Sequence, residues 1–130
     1  MQSALAAASA GDEIWVAEGT YAPGTAAADS FHLVDGVAVY GGFDGSESLR
    51  VERDVVAHPT TLSGNNLHRH VLVASGLGPG SILDGFTIRD GQASDGGTNS
   101  EGAGIRVTSS VLRIENCVFS TNEAIGPNNF

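Results

Sequence analysis

The chain has a single cysteine, few basic residues and no long apolar run, and each scarcity removes a class of protein. One cysteine, Cys117, excludes an internal disulfide, and its place in an apolar strand points to a buried side chain rather than a reactive thiol. No segment reaches the 18 or so apolar residues of a membrane helix, and the start lacks a basic stretch followed by an apolar core. No membrane insertion is expected. Six basic against fifteen acidic residues give a net charge of −9 at pH 7, a field that repels a phosphate backbone and attracts cations, so nucleic acid is not expected as a partner. Charged residues make up only 16% of the chain, while 18 of its 130 residues are glycine, about twice the usual share of roughly 7%. That balance fits many tight turns between short strands and disfavours a helical bundle. The length allows one domain, 1–130, and not two with separate cores.

What is present is a set of short apolar strands joined by Gly, Asn, Asp and Ser loops. Leu83-Asp84-Gly85-Phe86-Thr87-Ile88 recurs as Ile114-Glu115-Asn116-Cys117-Val118-Phe119. Each such unit has one inward stripe and cannot bury it alone, so the chain is expected to pile turns on one another as an all-β solenoid. Ser3 to Ala10 is the one helical stretch, stopped by Gly11, and is expected to cap the stack within residues 1–11. From Asp12 the period is two: Ile14 and Val16 on one face with Trp15 on the other, then Phe31 and Leu33, then Val37 and Val39. Turns of the solenoid fill 12–124, with polar excursions at 44–59 and 91–102 whose charges are expected to be solvated, and 125–130 form a tail.

The segment Leu5-Ala6-Ala7-Ala8-Ser9-Ala10-Gly11-Asp12-Glu13-Ile14-Trp15-Val16-Ala17-Glu18-Gly19-Thr20-Tyr21 resembles the N-terminal cap and first strand of right-handed parallel β-helix proteins of the pectin-lyase-like superfamily. Gly36-Val37-Ala38-Val39-Tyr40-Gly41-Gly42-Phe43, the Leu83 motif and Glu115-Asn116-Cys117-Val118-Phe119-Ser120 are similar to rungs of its large bacterial secreted or surface members. The resemblance implies a short right-handed parallel β-helix at the cell surface or outside the cell. It leaves function open between polysaccharide lyases and hydrolases on one side and adhesins or structural modules on the other. The chain looks like the first few turns of a longer solenoid or a minimal version of one.

A last turn without a cap exposes strand edges and an apolar cross-section. The expected consequence is a homodimer or higher homo-oligomer through Ile105, Val107, Leu112, Ile114 and Phe119, unless residues 126–130 fold back as a lid.

Chemistry has to come from outward groups. Glycoside hydrolysis needs two carboxyl groups roughly 5–10 Å apart, and strands of neighbouring turns about 4.8 Å apart could supply them. Asp84 and Glu115 hold equivalent places in the two matching motifs. The competing explanation makes both turn residues whose carboxylates cap backbone amides. A lyase resembling those of the superfamily implies a basic residue, with Arg89, Arg106 and Arg113 facing out, and calcium, for which Asp90, Asp95 and Glu101 are the candidate ligands. Otherwise no cofactor is expected. His68 and His70 share a strand face and are the candidate pair for a transition metal, with a surface or loop position as the simpler expectation. Trp15, Tyr21 and Tyr40 could stack on sugars along the side of a solenoid that binds a polysaccharide. A non-catalytic structural or interaction module, self-associating at its open end, is the leading expectation. A lyase or glycoside hydrolase domain is the alternative.

Overall fold

The computed structural model describes residues 1–94 and 101–125, and over them the chain winds through four successive turns of strands. The first turn holds β1 (Glu13–Ala17), β2 (Gly19–Tyr21) and β3 (Phe31–His32). The second holds β4 (Ala38–Phe43), β5 (Thr60–Ser63) and β6 (Leu72–Ser75). The third holds β7 (Ile82–Asp84), β8 (Phe86–Arg89), β9 (Gln92–Ala93) and β10 (Ile105–Thr108), and the fourth β11 (Arg113–Glu115), β12 (Val118–Ser120) and β13 (Glu123–Ala124). Strands of like position stack into sheets ordered β1-β4-β7-β11, β2-β5-β8-β12, β3-β6-β10 and β9-β13. Every pairing among the described residues is parallel, so the fold is the all-β parallel solenoid that the strand pattern requires.

Register explains the alternation in the sequence. Ile14, Val39, Leu83 and Ile114 stand in one column, while the neighbouring Trp15, Tyr40, Asp84 and Glu115 stand in another. The first column enters the core, where Ile14, Val39 and Leu83 pack with Val16, Phe31, Leu62, Leu72, Phe86 and Ile88. The second lies on the outer face, because successive strand residues point to opposite sides. The corner from the first sheet to the second needs a left-handed residue: Gly85 at φ +86° in the third turn and Asn116 at +48° in the fourth. This is the physical content of the Asp-Gly and Glu-Asn steps in the repeated motif.

The helix α1 (Gln2–Ala7) is shorter than expected from the alanine run. Ala8 is already extended and the chain turns at Gly11, φ +95°. Six residues are too few to hold a helix by propensity. It is fixed instead by Leu5, buried in the core, and by the Gln2 amide, which donates to the carbonyls of Pro23 and Ser30.

The first excursion departs further from expectation. Residues 44–59 leave at the corner between β4 and β5, which in the third turn is Gly85 alone, and fold back over the outer face of the first sheet. Their charges are therefore not all solvated, since Arg53 is tucked against the sheet. Beneath this strap lies a second small apolar cluster of Ala38, Tyr40 and Phe43 with Ile82. Of the second excursion, 95–100 lie outside the described residues, as do 126–130 of the tail.

At the far end the buried columns come to the surface. Leu83 and Ile88 are 0% exposed, but their partners one turn on, Ile114 and Phe119, are 40% and 44% exposed. Val107, stacked on the fully buried Ala74, is 49% exposed, whereas Ile105 and Leu112 remain partly buried against the core. Among the described residues, β10, β11, β12 and β13 each have a strand neighbour on one side only.

Candidate functional site

The outer column Trp15, Tyr40, Asp84, Glu115 runs across all four turns and, with the strap, forms the most chemically furnished surface of the molecule. Strand pairing places these side chains on one line; the strap then decides what each can do. Trp15 stacks on Phe43 with ring centroids 4.8 Å apart and planes 7° from parallel, and its indole N–H donates to Glu13 at 3.1 Å. It is 38% exposed and lies outside the core cluster. The Tyr40 ring is buried under two guanidinium groups, Arg50 at 4.6 Å and Arg53 at 5.2 Å from its centroid. Arg50 also donates to the Tyr40 hydroxyl at 2.9 Å and pairs with Glu13. Tyr21 is not part of this face; it is half-buried, and its hydroxyl donates to the Ala17 carbonyl.

Asp84 and Glu115 are register partners on adjacent strands, so the structure does bring the two carboxylates of the repeated motif side by side. Asp84 is buried, and neither oxygen caps a backbone amide among the described residues. Arg53 Nη2 lies 2.6 Å from Oδ2 and the Asn116 amide donates to Oδ1 at 2.8 Å. The same guanidinium donates to the carbonyls of Gly41 and Asp84, so Arg53 pins the strap to the second and third turns at once. Glu115 pairs instead with Arg113 of its own strand at 2.6 Å, a contact that raises the arginine's pKa. Between strap and sheet lies an open groove of about 640 Å³, lined by Tyr40, Arg50, Arg53, Asp84, Arg113 and Glu115 among others. The strap residues were not found from the sequence. Arg50 and Arg53 sit in an excursion without periodic pattern, so only the path of residues 44–59 over the stacked strands places them beside Tyr40 and Asp84.

The other candidates lie elsewhere. Arg89 pairs with Asp90 at 2.7 Å, and Asp90 also accepts from Ser63 and Thr121, so its oxygens serve the stacking of the second corner. Glu101 is exposed, Asp95 is outside the described residues, and no group of three His, Cys, Asp or Glu that could hold a metal occurs among the described residues. His68 and His70 correct the surface expectation: both are buried. His70 Nδ1 meets the Gly102 carbonyl at 3.2 Å, and burial pushes its pKa down, whereas neither ring nitrogen of His68 has a hydrogen-bond partner among the described residues. Cys117 is half-buried, its thiol 3.7 Å from the Leu83 carbonyl, and burial raises its pKa.

Stacked parallel turns with a strapped outer face define a parallel β-solenoid. The chain belongs to the family described as a protein of unknown function (DUF1565), whose model matches residues 1–130. That family is associated with β-helix proteins. No curated protein and no solved structure matches the chain.

Proposed function

We propose that this chain is a non-catalytic structural or interaction module of the pectin-lyase-like kind, which self-associates through its open end at a bacterial surface. The observation that carries this is the loss of cover in the fourth turn. Ile114 and Phe119 continue columns that are fully buried one turn earlier, and the strand edges beside them have no neighbour among the described residues. An apolar patch flanked by free backbone donors and acceptors is a template for another layer of strands. The locked state of Asp84 supports the non-catalytic side: its oxygens are engaged by Arg53 and Asn116, whereas an acid and base pair must face the bond it cleaves. The test is solution mass by light scattering over a concentration series, beside Phe119→Glu. A dimer or larger species that Phe119→Glu converts to monomer is expected. A monomeric wild-type protein at every concentration overturns the proposal.

A second reading has its own support in the groove beside the strap. Guanidinium and carboxylate groups in the groove, with the 38% exposed Trp15 in the same outer column as Tyr40, suit the hydroxyls and ring faces of a polysaccharide, with calcium as the bridge to an acidic polymer. Binding of neutral and uronide polymers, with and without calcium, tests it. Retention without new reducing ends or unsaturated products is the adhesive outcome, and product formation is the lyase or hydrolase outcome.

A further inference from the structure

The strap leaves the stack and rejoins it through a narrow neck. It begins after Phe43, whose carbonyl accepts from the Glu18 N–H at 2.6 Å, and ends at Pro59, whose carbonyl accepts from the Gly19 N–H at 3.1 Å. Both feet therefore stand on one corner of the first turn, the Glu18–Gly19 step between β1 and β2. His58 closes this neck. Its Nδ1 lies 3.2 Å from Glu18 Oε2 and its Nε2 3.8 Å from Asp44 Oδ2, so one ring ties the two feet to each other and to the first turn.

The charges around the neck make this tie depend on a proton. Glu18 acts on His58 from the corner, and Asp44, Glu47 and Asp54 act on it from the strap itself. The strap's two arginines are turned to other acids, Arg50 to Glu13 and Arg53 to Asp84, so the imidazolium at the neck faces four carboxylates. The hydrogen bond to Glu18, with the surrounding negative charge, raises the His58 pKa against the opposing effect of burial. A closed neck therefore holds the proton more tightly than an open one, in which the ring returns to its ordinary value of about 6.5. By linkage, protonation favours closure fully below about 6.5, and that support is lost as pH rises through the raised value. A neutral ring then leaves the carboxylates facing one another.

The geometry points to His58 as a proton-operated clasp that closes the neck of the strap at mildly acidic pH and releases it at mildly alkaline pH. The release is local, because the guanidiniums of Arg50 and Arg53 stay charged throughout and keep the middle of the strap on the sheet. What loosens is the neck, with Phe43 and the Trp15 ring stacked on it. The clasp needs neither the self-association nor the polysaccharide binding proposed above.

Amide hydrogen exchange followed by NMR across a pH series, expressed as protection factors, tests it. Protection of the Glu18 and Gly19 amides, which donate to the two feet, is expected to fall as pH rises, with the midpoint of the His58 ring titration. The fall is set by how far that midpoint stands above the ordinary value, about tenfold for each unit of difference. The amides of Phe31 and Ile82, which donate to Val71 and Val37 within the stack, should keep their protection. Acrylamide quenching of Trp15, the one tryptophan, should rise over the same range. In His58→Gln, uncharged at every pH, the Glu18 and Gly19 amides should show the low, flat protection of the released neck, with the circular dichroism of the wild type. Wild-type protection at Glu18 and Gly19 that does not change with pH, or a change that persists in His58→Gln, would overturn the clasp.

Discussion

Substituting Asp84 by asparagine is expected to destabilise the protein by about 3 kcal/mol. The estimate starts from the Arg53–Asp84 contact, 2.6 Å between side chains that are 15% and 7% exposed. Removing one member of a buried pair typically costs about 3–5 kcal/mol, because the remaining charge stays out of water without compensation. Arg53 keeps its bonds to the carbonyls of Gly41 and Asp84 and some solvent access, which places the cost at the lower bound. Asparagine preserves the shape and the bond from Asn116, so the change isolates charge from packing. With an m-value of about 2 kcal/mol/M in urea, the midpoint should fall by about 1.5 M without a change in slope. Trp15 fluorescence reports the strap region and circular dichroism the strands, so coincident curves also show whether strap and stack unfold together. Replacing both partners by apolar residues, Arg53→Met with Asp84→Leu, should recover most of the loss, since no charge is then left buried. A midpoint shift for Asp84→Asn below about 0.5 M would match an ordinary surface pair and refute the role assigned to Arg53.

Gly91→Ala is expected to destabilise by about 1–3 kcal/mol, because a Cβ there would collide with the Ala103 carbonyl and press on Val71, and backbone cannot yield as a flexible side chain does. Its thermal or urea midpoint checks this against Gly76→Ala, where space is open and only the left-handed φ is strained. His68→Leu should be neutral or stabilising by about 1 kcal/mol in the same assay, since it removes a fully buried ring whose two nitrogens have no hydrogen-bond partner among the described residues. For His58 the Glu18 carboxylate 3.2 Å away, aided by Asp44, raises the imidazole pKa in the folded state. Its contribution is therefore complete below the unfolded value of about 6.5 and is lost as pH rises through the folded one. An NMR titration should show the raised midpoint in the wild type and a fall toward 6.5 in Glu18→Gln.

The solenoid was legible because its signal is local. Ile14, Val39, Leu83 and Ile114 alternate with polar or aromatic neighbours at period two, and Gly85 and Asn116 mark the corners that need a left-handed backbone. Both features are written within a few residues of each other and depend on no distant contact. The helix boundary was less legible because alanine favours a helix without specifying where it ends; Leu5 sets the useful length by reaching the core. The burial of His68 and His70 was not legible at all, since a His-Arg-His run has the composition of a surface loop, and only the closing of the second and third turns around it excludes water.

What the sequence by itself determined is the unit: strands with one apolar stripe, turned by glycine and asparagine, that must be stacked to be stable. What only the tertiary structure decided is which outward residues meet. Asp84 and Glu115 became neighbours through the register of adjacent turns, and Arg53 reached Asp84 only because residues 44–59 fold back across the sheet. Periodicity specifies the face on which a side chain lies. The separation along the chain between turns, and hence the partner across the strand gap, depends on loops whose length leaves no periodic trace.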